Sequence, residues 1–319
     1  MNDKGTYQMT NAPYFNIQNL KYTNSNSIFN IHDGAVPYFS FKLLDDTGIC
    51  KNAFTTKFGG VSTGCLESLN LTSRKPGETE ANIFENYRRV CAELGVDINS
   101  ITLSDQTHTT NVRRITEEDI GKGLTKKRDY NDIDGLITNI PGVTLVTFYA
   151  DCVPLYILDP VHKSIGLSHS GWRGTVGRMG KITIDRMHEE FGSDPADLIC
   201  CIGPSICRSC FEVGGEVAVH FQEFKDVIYD HDHKLLDKGA EIEEHKKYYV
   251  DLHEANRQVF LAAGIRHEHI SITNIFPSPT CPVLAIDEIK SITSSTLLSS
   301  ITILTSILGN TLVISSVPL

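Results

Sequence analysis

The stretch that decides the fold spans residues 143–191 and reads VTLVTFYADCVPLYILDPVHKSIGLSHSGWRGTVGRMGKITIDRMHEEF. Three short runs rich in β-branched and aromatic residues, Val143–Tyr149, Val153–Leu158 and Ser164–Leu167, predict three strands. Apolar residues then recur at nearly helical spacing, which predicts a helix ending near Gly192. Strands followed by a helix indicate an α/β protein, a class that places reactive groups in loops at strand ends.

Four residues of this stretch have reactive or anion-binding side chains. Cys152 lies in the predicted turn between two strands, and His169 lies between a strand and the predicted helix. Asp151 puts a carboxylate beside a potential thiolate or metal ligand. Arg173, at the start of the helix, offers a planar set of donors suited to phosphate or carboxylate. Each has a plainer interpretation as well, because a cysteine at a strand end is usually a small core residue.

Composition and charge restrict the class of protein. A chain of 319 residues with 40% hydrophobic and 21% charged residues is globular, and it holds one large domain or two. The net charge of -10 argues against nucleic acid as the main partner. The longest uninterrupted apolar run in the uncharged segment 291–319 is Leu312–Ile314, which argues against a membrane helix.

The cysteines and the start of the chain predict a cytoplasmic location. Nine cysteines are scattered along the sequence, and no apolar segment of a signal peptide follows Met1. Free thiols in a reducing compartment are the simpler interpretation. One pair, Cys207 and Cys210, has the spacing of a metal knuckle or a redox pair. A single such pair is a weak signal, and we interpret it as structural.

Seven short blocks, read together, resemble one protein family. They are FTTKFGGVS (54–62), SLNL (68–71), SDQTH (104–108), DGLIT (134–138), ADCVPL (150–155), HSGWRGT (169–175) and IGPSI (202–206). In this order they resemble the YfiH/laccase-domain family, also called multicopper polyphenol oxidase domain proteins, of the purine nucleoside phosphorylase type. The resemblance is collinear from about residue 40 to Asn274. It implies an α/β fold with a single domain of mixed β-sheets layered with helices.

The resemblance also divides the chain and assigns a metal. It implies an N-terminal extension (1–40), a catalytic domain (41–275) and an atypical C-terminal tail (276–319), which is uncharged from residue 291 onward. It further implies a metal held by His108, Cys152 and His169. Two imidazoles and a thiolate suit zinc and leave a fourth position open, so zinc is the expected cofactor and copper the second candidate. One site with three ligands lacks the several metals of a multicopper oxidase, so we rank oxidase activity last.

The activity that the resemblance implies is on purine nucleosides. It covers phosphorolysis of adenosine, inosine and methylthioadenosine to the base and ribose 1-phosphate, together with deamination of adenosine. Purine nucleosides and phosphate are then the partners, with no nucleic acid, no membrane and an open oligomeric state. Asp151 and Arg173 are the expected catalytic residues. The expected substrate-binding residues are Lys57, Asn70 and Gln106.

An alternative uses the same residues without metal. A Cys–His hydrolase or amidase would employ Cys152 as the nucleophile and His169 as the base. The two hypotheses differ in whether chelation changes the reactivity of the cysteine.

The C-terminal segment departs from the family pattern. Members normally continue after Asn274 with cysteines and a Ser-(aromatic or His)-Arg block, whereas here no arginine follows Arg266. Strand alternation is clear only at Ile301–Leu304. We therefore expect residues beyond about 275 to pack poorly and activity to suffer.

Overall fold

The computed structural model describes residues 28–72 and 77–273, together with the backbone of residues 300–306. Its strands, in chain order, are β1 (Phe29–His32), β2 (Tyr38–Phe41), β3 (Cys50–Thr55), β4 (Ile101–Leu103), β5 (Val112–Arg114), β6 (Gly135–Thr138), β7 (Thr144–Tyr149), β8 (Val153–Asp159), β9 (Ser164–Ser170), β10 (Ile199–Ile202), β11 (Glu212–Gly214), β12 (Ile228–Tyr229), β13 (Lys247–Val250), β14 (Ile270–Ile272) and β15 (Ser300–Ser306). Its α-helices are α1 (Lys42–Asp45), α2 (Glu80–Leu94), α3 (Trp172–Val176), α4 (Met179–Phe191), α5 (Gly215–Ala218) and α6 (Leu252–Ala262).

Two six-stranded mixed sheets form the centre of the fold. The first has the strand order β1-β2-β3-β15-β7-β4, and the second has the order β14-β10-β8-β9-β6-β5. A small third sheet joins β11, β13 and β12. The three strands predicted for residues 143–167 are confirmed as β7, β8 and β9.

The sheets and helices stack in four layers. Alternate side chains of β7 and β8 point to opposite faces, so each strand contributes to two cores. The core between the two large sheets includes Phe39, Leu145, Tyr156 and Leu167. Helix α2 covers the outer face of the first sheet, and α4 and α6 cover the outer face of the second. The expected fold class, mixed β-sheets layered with helices, is confirmed.

The predicted helix after His169 is two helices. Helix α3 ends before Gly177, and α4 starts after Arg178, whose φ of 63° breaks the helical path. The end at Gly192 is confirmed, since this residue adopts the left-handed conformation typical of a helix C-terminus. His169 was predicted to lie between a strand and a helix, but it lies inside β9, because this strand extends to Ser170, three residues beyond the predicted end at Leu167.

Two strands lie in regions that were expected to be peripheral. Within the predicted extension 1–40, β1 pairs with β2, which pairs with β3. Within the predicted tail 276–319, β15 lies between β3 and β7 and pairs with both in antiparallel fashion. The expectation of poor packing is therefore wrong for residues 300–306, because this uncharged, β-prone segment pairs with β3 on one side and with β7 on the other. The remainder of that tail and residues 1–27 lie outside the described residues, and the domain boundaries stay predictions.

Within the described ranges, no helix has both the length and the apolar character needed to cross a bilayer.

Candidate metal centre

Three residues with metal-ligand side chains converge from separate parts of the chain. His108 lies in the loop between β4 and β5, Cys152 in the turn between β7 and β8, and His169 near the end of β9. One nitrogen or sulfur atom from each lies within 4.8 Å of the other two. Cys152 Sγ is 3.8 Å from His108 Nε2, and the two imidazole centroids are 5.0 Å apart.

Strand pairing brings these positions together. In the β8–β9 hairpin, Val153 pairs with Ser170 and Pro154 with His169, which puts Cys152 beside the end of β9. On the other side of β9, strand β6 pairs antiparallel, with Gly135 opposite Ser168. The residue that precedes β6 is Asp134, and its carbonyl accepts a 2.8 Å hydrogen bond from the His169 N–H.

The Asp134 carboxylate contacts both histidine-bearing segments. It accepts a 2.7 Å hydrogen bond from His169 Nδ1. It also accepts backbone N–H donors from Thr107, His108 and Thr109 at 2.9–3.1 Å. Because Nδ1 of His169 donates, its Nε2 is left free to bind a metal. The Asp134 carboxylate thus also holds the 107–109 loop in place. In this loop His108 has a φ of 66°, in the left-handed region.

The electrostatics of the cluster favour an ionised Asp134 and a neutral His108, but without a metal they oppose the Cys152 thiolate. Burial alone would raise the pKa of Asp134, but hydrogen bonds from His169 and from the 107–109 loop outweigh it and lower this pKa to about 2. Burial, followed by the nearby His169, lowers the pKa of His108 and keeps its imidazole neutral. Burial, followed by the charge of Asp151, raises the pKa of Cys152 to about 12. A bound cation reverses the last effect, since coordination deprotonates a thiol outright.

The spacing and the space around the donors fit a small divalent metal. Zinc binds imidazole nitrogen at about 2.0–2.1 Å and thiolate at about 2.3 Å, so a tetrahedral site separates nitrogen and sulfur by about 3.5 Å. The observed 3.8 Å between Cys152 and His108 is close to this value. Residue 171 is glycine, and a Cβ there would lie 3.0 Å from both Cys152 Sγ and His108 Cδ2. The absence of a side chain thus lets the donors come together.

The cluster lies in the wall of a large cleft of about 1510 Å³. Other parts of its lining come from α2, from the ends of β4 and β7, and from residues 123–128. Phe84 of α2 lines it with 46% of its surface exposed. Asp151, half-buried beside Cys152, lines it as well. The cleft thus has the His108, Cys152 and His169 cluster and an exposed aromatic ring in its walls.

Of the three predicted substrate-binding residues, one lines the cleft and two do not. Gln106 lines the cleft, but its amide is occupied by the Phe148 backbone, accepting from its N–H and donating to its carbonyl at 2.7 Å each. Asn70 is fully buried and donates to Glu78 at 2.8 Å. Lys57 extends over the ring of its neighbour Phe58. Neither Asn70 nor Lys57 lines the cleft.

Arg173 lies on the surface beside the cluster. Its guanidinium stacks over the Trp172 ring at 4.4 Å. It is near enough to His108 for its charge to contribute to the lowered pKa of that imidazole. It does not line the cleft. The roles of Arg173 and of the other predicted site residues stay predictions.

Sequence reasoning missed two features of the site. The carboxylate bonded to His169 is Asp134, whereas the sequence drew attention to Asp151 as the carboxylate beside a potential metal ligand. The sequence signal for Asp134 was the DGLIT block (134–138), which contributed to the family resemblance but in which Asp134 was assigned no role. Lys126 and Lys127 line the cleft, although the basic stretch 122–131 reads as an exposed loop without a binding function. Both lysines are indeed exposed.

Comparison with known proteins decides the family. The model of the family described as multi-copper polyphenol oxidoreductase laccase matches residues 51–281. This range contains all three residues of the cluster, the whole second large sheet, and β4, β7 and nearly all of β3 from the first. The chain belongs to this laccase family.

Relatives within the laccase family include enzymes of purine nucleosides. The chain is 34% identical over 230 residues to the protein named purine nucleoside phosphorylase YlmD of Bacillus subtilis, covering 70% of this chain and 77% of that one. It is 31% identical over 215 residues to adenosine deaminase RL5 from an unknown prokaryotic organism, covering 67% and 79%. The crystal structure of YlmD from Geobacillus stearothermophilus matches with a TM-score of 0.71 at 25% identity, covering 88% of this chain and 99% of that one.

Proposed function

We propose that this protein is a zinc-dependent enzyme of purine nucleosides. Its reactions are phosphorolysis of adenosine, inosine and methylthioadenosine, and deamination of adenosine. The observation that carries the proposal is the cluster of His108, Cys152 and His169 in the wall of a cleft large enough for a nucleoside and phosphate. Two relatives, one named a purine nucleoside phosphorylase and the other an adenosine deaminase, support the same substrate class.

The two reactions make different demands on the site. In phosphorolysis the bond between the base and C1′ of ribose breaks, a phosphate oxygen bonds to C1′, and the departing base takes up a proton. In deamination, water replaces the amino group at C6 and ammonia leaves. Zinc held by the three residues would supply Lewis acidity and a nucleophile near neutral pH. In both cases a polar group of the protein has to move a proton beside the metal.

Asp151 is the proposed proton carrier. It lines the cleft next to Cys152, and burial raises the pKa of its carboxyl. Asp134 is unsuited to this role, because its carboxylate is occupied by four donors in the 107–109 loop and by the ring of His169. We therefore assign Asp134 to positioning and Asp151 to proton transfer.

Phosphate requires cations that face the bound nucleoside. Lys126 and Lys127 are exposed in the lining of the cleft, where their charge would attract the anion. Arg128 lines the cleft too, but it is paired with Asp105. Arg173, which is close to His108 but outside the lining of the cleft, is the proposed second phosphate ligand, and its planar guanidinium suits that role.

Two other functions fit the site less well. A nucleophilic cysteine needs a lowered pKa, whereas burial raises that of Cys152 to about 12. The sulfur also contacts His108 instead of the proposed base His169. For multicopper oxidase chemistry, several metal centres are needed, and the described residues contain one group of three or more ligand-type side chains that could hold a metal.

The test combines metal analysis with two product assays on the full chain. We expect about one zinc per chain, phosphate-dependent release of hypoxanthine from inosine, and release of ammonia from adenosine. Replacing Cys152 by Ala should abolish zinc and both activities, because the open site loses its thiolate. Cys65, which is exposed and remote from the cluster, provides the matched control Cys65→Ala. Full activity in the Cys152→Ala protein, or after complete removal of metal, would contradict the proposal.

A further inference from the structure

A second pair of sulfur atoms lies close together outside the metal centre. Cys207 and Cys210 follow β10 in a turn closed by hydrogen bonds from the N–H groups of Cys210 and Phe211 to the Cys207 carbonyl, each 3.0 Å long. This turn brings the two Sγ atoms to 3.0 Å. A disulfide bond is about 2.05 Å long, so closing it requires a shift of only about 1 Å.

The surroundings of the pair argue against a metal knuckle. A structural zinc site needs four ligands, normally cysteines and histidines. Within residues 28–72 and 77–273, the group of three or more ligand-type side chains that could hold a metal is the one at His108, and it includes neither Cys207 nor Cys210. The nearest other side-chain partner of Cys207 is the Ser209 hydroxyl, at 3.2 Å. Because no third ligand-type side chain of the described ranges joins these two thiols in such a group, redox chemistry is favoured over metal binding.

Accessibility distinguishes these cysteines from most others in the protein. Cys210 is exposed and Cys207 is half-buried, whereas Cys50, Cys91, Cys200 and Cys201 are buried. A redox-active thiol has to be reached by its oxidant, and a second thiol has to be near enough to resolve the first product. Cys65 is also exposed. It is not paired with a second cysteine in the described structure, which makes it a natural control.

We propose that Cys207 and Cys210 form a reversible redox site that exchanges with low-molecular-weight disulfides. The exposed Cys210 thiolate attacks one sulfur of the external disulfide, which releases one thiol and leaves a mixed disulfide on Cys210. Cys207 then attacks Cys210 Sγ, the intramolecular bond forms, and the second external thiol leaves. The two protein thiols lose two electrons and two protons, and the external disulfide gains both as two thiols.

The site is close to the metal centre but chemically separate from it. Ile206, next to Cys207, donates its N–H to the Asp151 carbonyl at 3.0 Å. Cys152 follows Asp151, so an oxidant added to the protein can react with Cys152 as well as with the Cys207–Cys210 pair. The test must therefore report on each cysteine individually.

Trypsin makes that possible because Arg208 lies between the two cysteines. Cleavage after Arg186, Arg208 and Lys225 gives one peptide of residues 187–208 and another of residues 209–225. The full-length protein is treated with oxidised glutathione, its remaining thiols are alkylated in denaturant, and the digest is analysed by mass spectrometry. We expect the two peptides to appear as a disulfide-linked pair, and to separate again after dithiothreitol.

Substitutions identify the sulfur atoms involved. The first peptide also contains Cys200 and Cys201, so the Cys207→Ser variant decides which cysteine pairs with Cys210. The link should disappear in Cys207→Ser and persist in the control Cys65→Ser. A link that survives Cys207→Ser would overturn the proposal, and so would unlinked peptides that carry only alkylated cysteines or one glutathione on each. The digest does not depend on catalysis, so its outcome is independent of the function proposed above.

Discussion

His169 and His108 belong to one cluster but are held in opposite ways. His169 is 4% exposed within β9, which is paired with β8 on one side and β6 on the other. Its ring also lies 5.4 Å from the ring of buried Tyr149. His108 is exposed, lies in a loop between strands of different sheets, and has a positive φ. Asp134 is the link between them, since its carboxylate bonds to the His169 ring and to the His108 backbone.

This contrast shows how a metal centre can be built from one fixed and one adjustable ligand. The sheets determine the position of His169 whether or not a metal is bound. His108 depends on a few hydrogen bonds to a single carboxylate. Removing either imidazole should abolish metal binding. Only the removal of the His169 imidazole should lower the folding stability by much.

Replacing each histidine by alanine is the most severe test of that contrast. We expect both His169→Ala and His108→Ala to lose zinc. His169→Ala should also destabilise the metal-free protein by about 2–4 kcal/mol, because it leaves a buried cavity and removes a donor from Asp134. For exposed His108 the cost should stay within about 0.5 kcal/mol.

Urea unfolding of the metal-free variants, together with zinc analysis, measures both effects. His231→Ala is a suitable control, since that side chain is 78% exposed and remote from the cluster. Equal destabilisation by His169→Ala and His108→Ala would show that the two ligands are held alike.

The sequence predicted the parts of this site that depend on local pattern. The runs of β-branched and aromatic residues in 143–167 are confirmed as β7, β8 and β9, and the cap at Gly192 is confirmed as well. That His108 joins Cys152 and His169 came from the resemblance alone, because His108 lies 44 residues before Cys152 and in a different loop.

What the sequence could not predict depends on long-range pairing. The role of Asp134 follows from the antiparallel pairing of β6 with β9, which local spacing does not reveal. The insertion of β15 between β3 and β7 is likewise a contact between distant segments. The break at Arg178 comes from one residue with positive φ, which overrides the helical period of the surrounding apolar residues.

Asp134→Asn tests the link between the two ligands directly. Asparagine has a similar shape, but only one of its two terminal side-chain atoms can accept. If its oxygen faces His169 and the His108 N–H, its NH₂ group opposes the N–H groups of Thr107 and Thr109. We expect zinc affinity to fall by about 10–100-fold, as is typical for loss of a carboxylate that orients a ligating histidine. Competition with a chromophoric chelator measures this change.

Asp151→Asn is the matched control, because its carboxylate lines the cleft and has no hydrogen bond to either histidine among the described contacts. This variant should keep zinc affinity within about twofold and lose turnover by about 10²–10⁴-fold, the usual contribution of a proton-transfer group. If Asp151→Asn lost zinc and Asp134→Asn kept it, the two carboxylates would have exchanged roles.

Gly171→Ala examines the adjustable side of the site with a smaller change. The φ of -70° at Gly171 suits any residue, so only space opposes the added Cβ. That atom would lie 3.0 Å from Cys152 Sγ and His108 Cδ2 and would push these donors outward. We expect weaker zinc binding, by about fivefold to fiftyfold, and a stability loss of about 1–3 kcal/mol.

Gly174→Ala, within helix α3, whose N-cap is Gly171, is the control for Gly171→Ala. Its added Cβ would meet its nearest neighbour at 3.4 Å, an ordinary contact. Zinc affinity should be unchanged in this variant. Equal loss of zinc from both variants would mean that the helix, and not the space between the donors, controls the site.

The smallest effect on the metal should come from Asp119, which stabilises the segment that follows the His108 loop. Its buried carboxylate pairs with Arg113 and Lys122 at 2.8 Å each, and it accepts the Thr116 N–H. Burial alone would raise the pKa of Asp119, but these partners outweigh it and hold this pKa well below its usual range. A carboxyl whose pKa is lowered by folding stabilises the protein above its unfolded pKa of about 3.9, and this contribution disappears as the pH falls below it.

Asp119→Asn should therefore destabilise the protein by about 1–2 kcal/mol at pH 7. The difference in stability from wild type should shrink between about pH 4 and pH 2. Zinc content at pH 7 should equal that of wild type, because Asp119 bonds to neither histidine; a loss of zinc in this variant would instead mean that the His108 loop depends on the fold beyond Asp134.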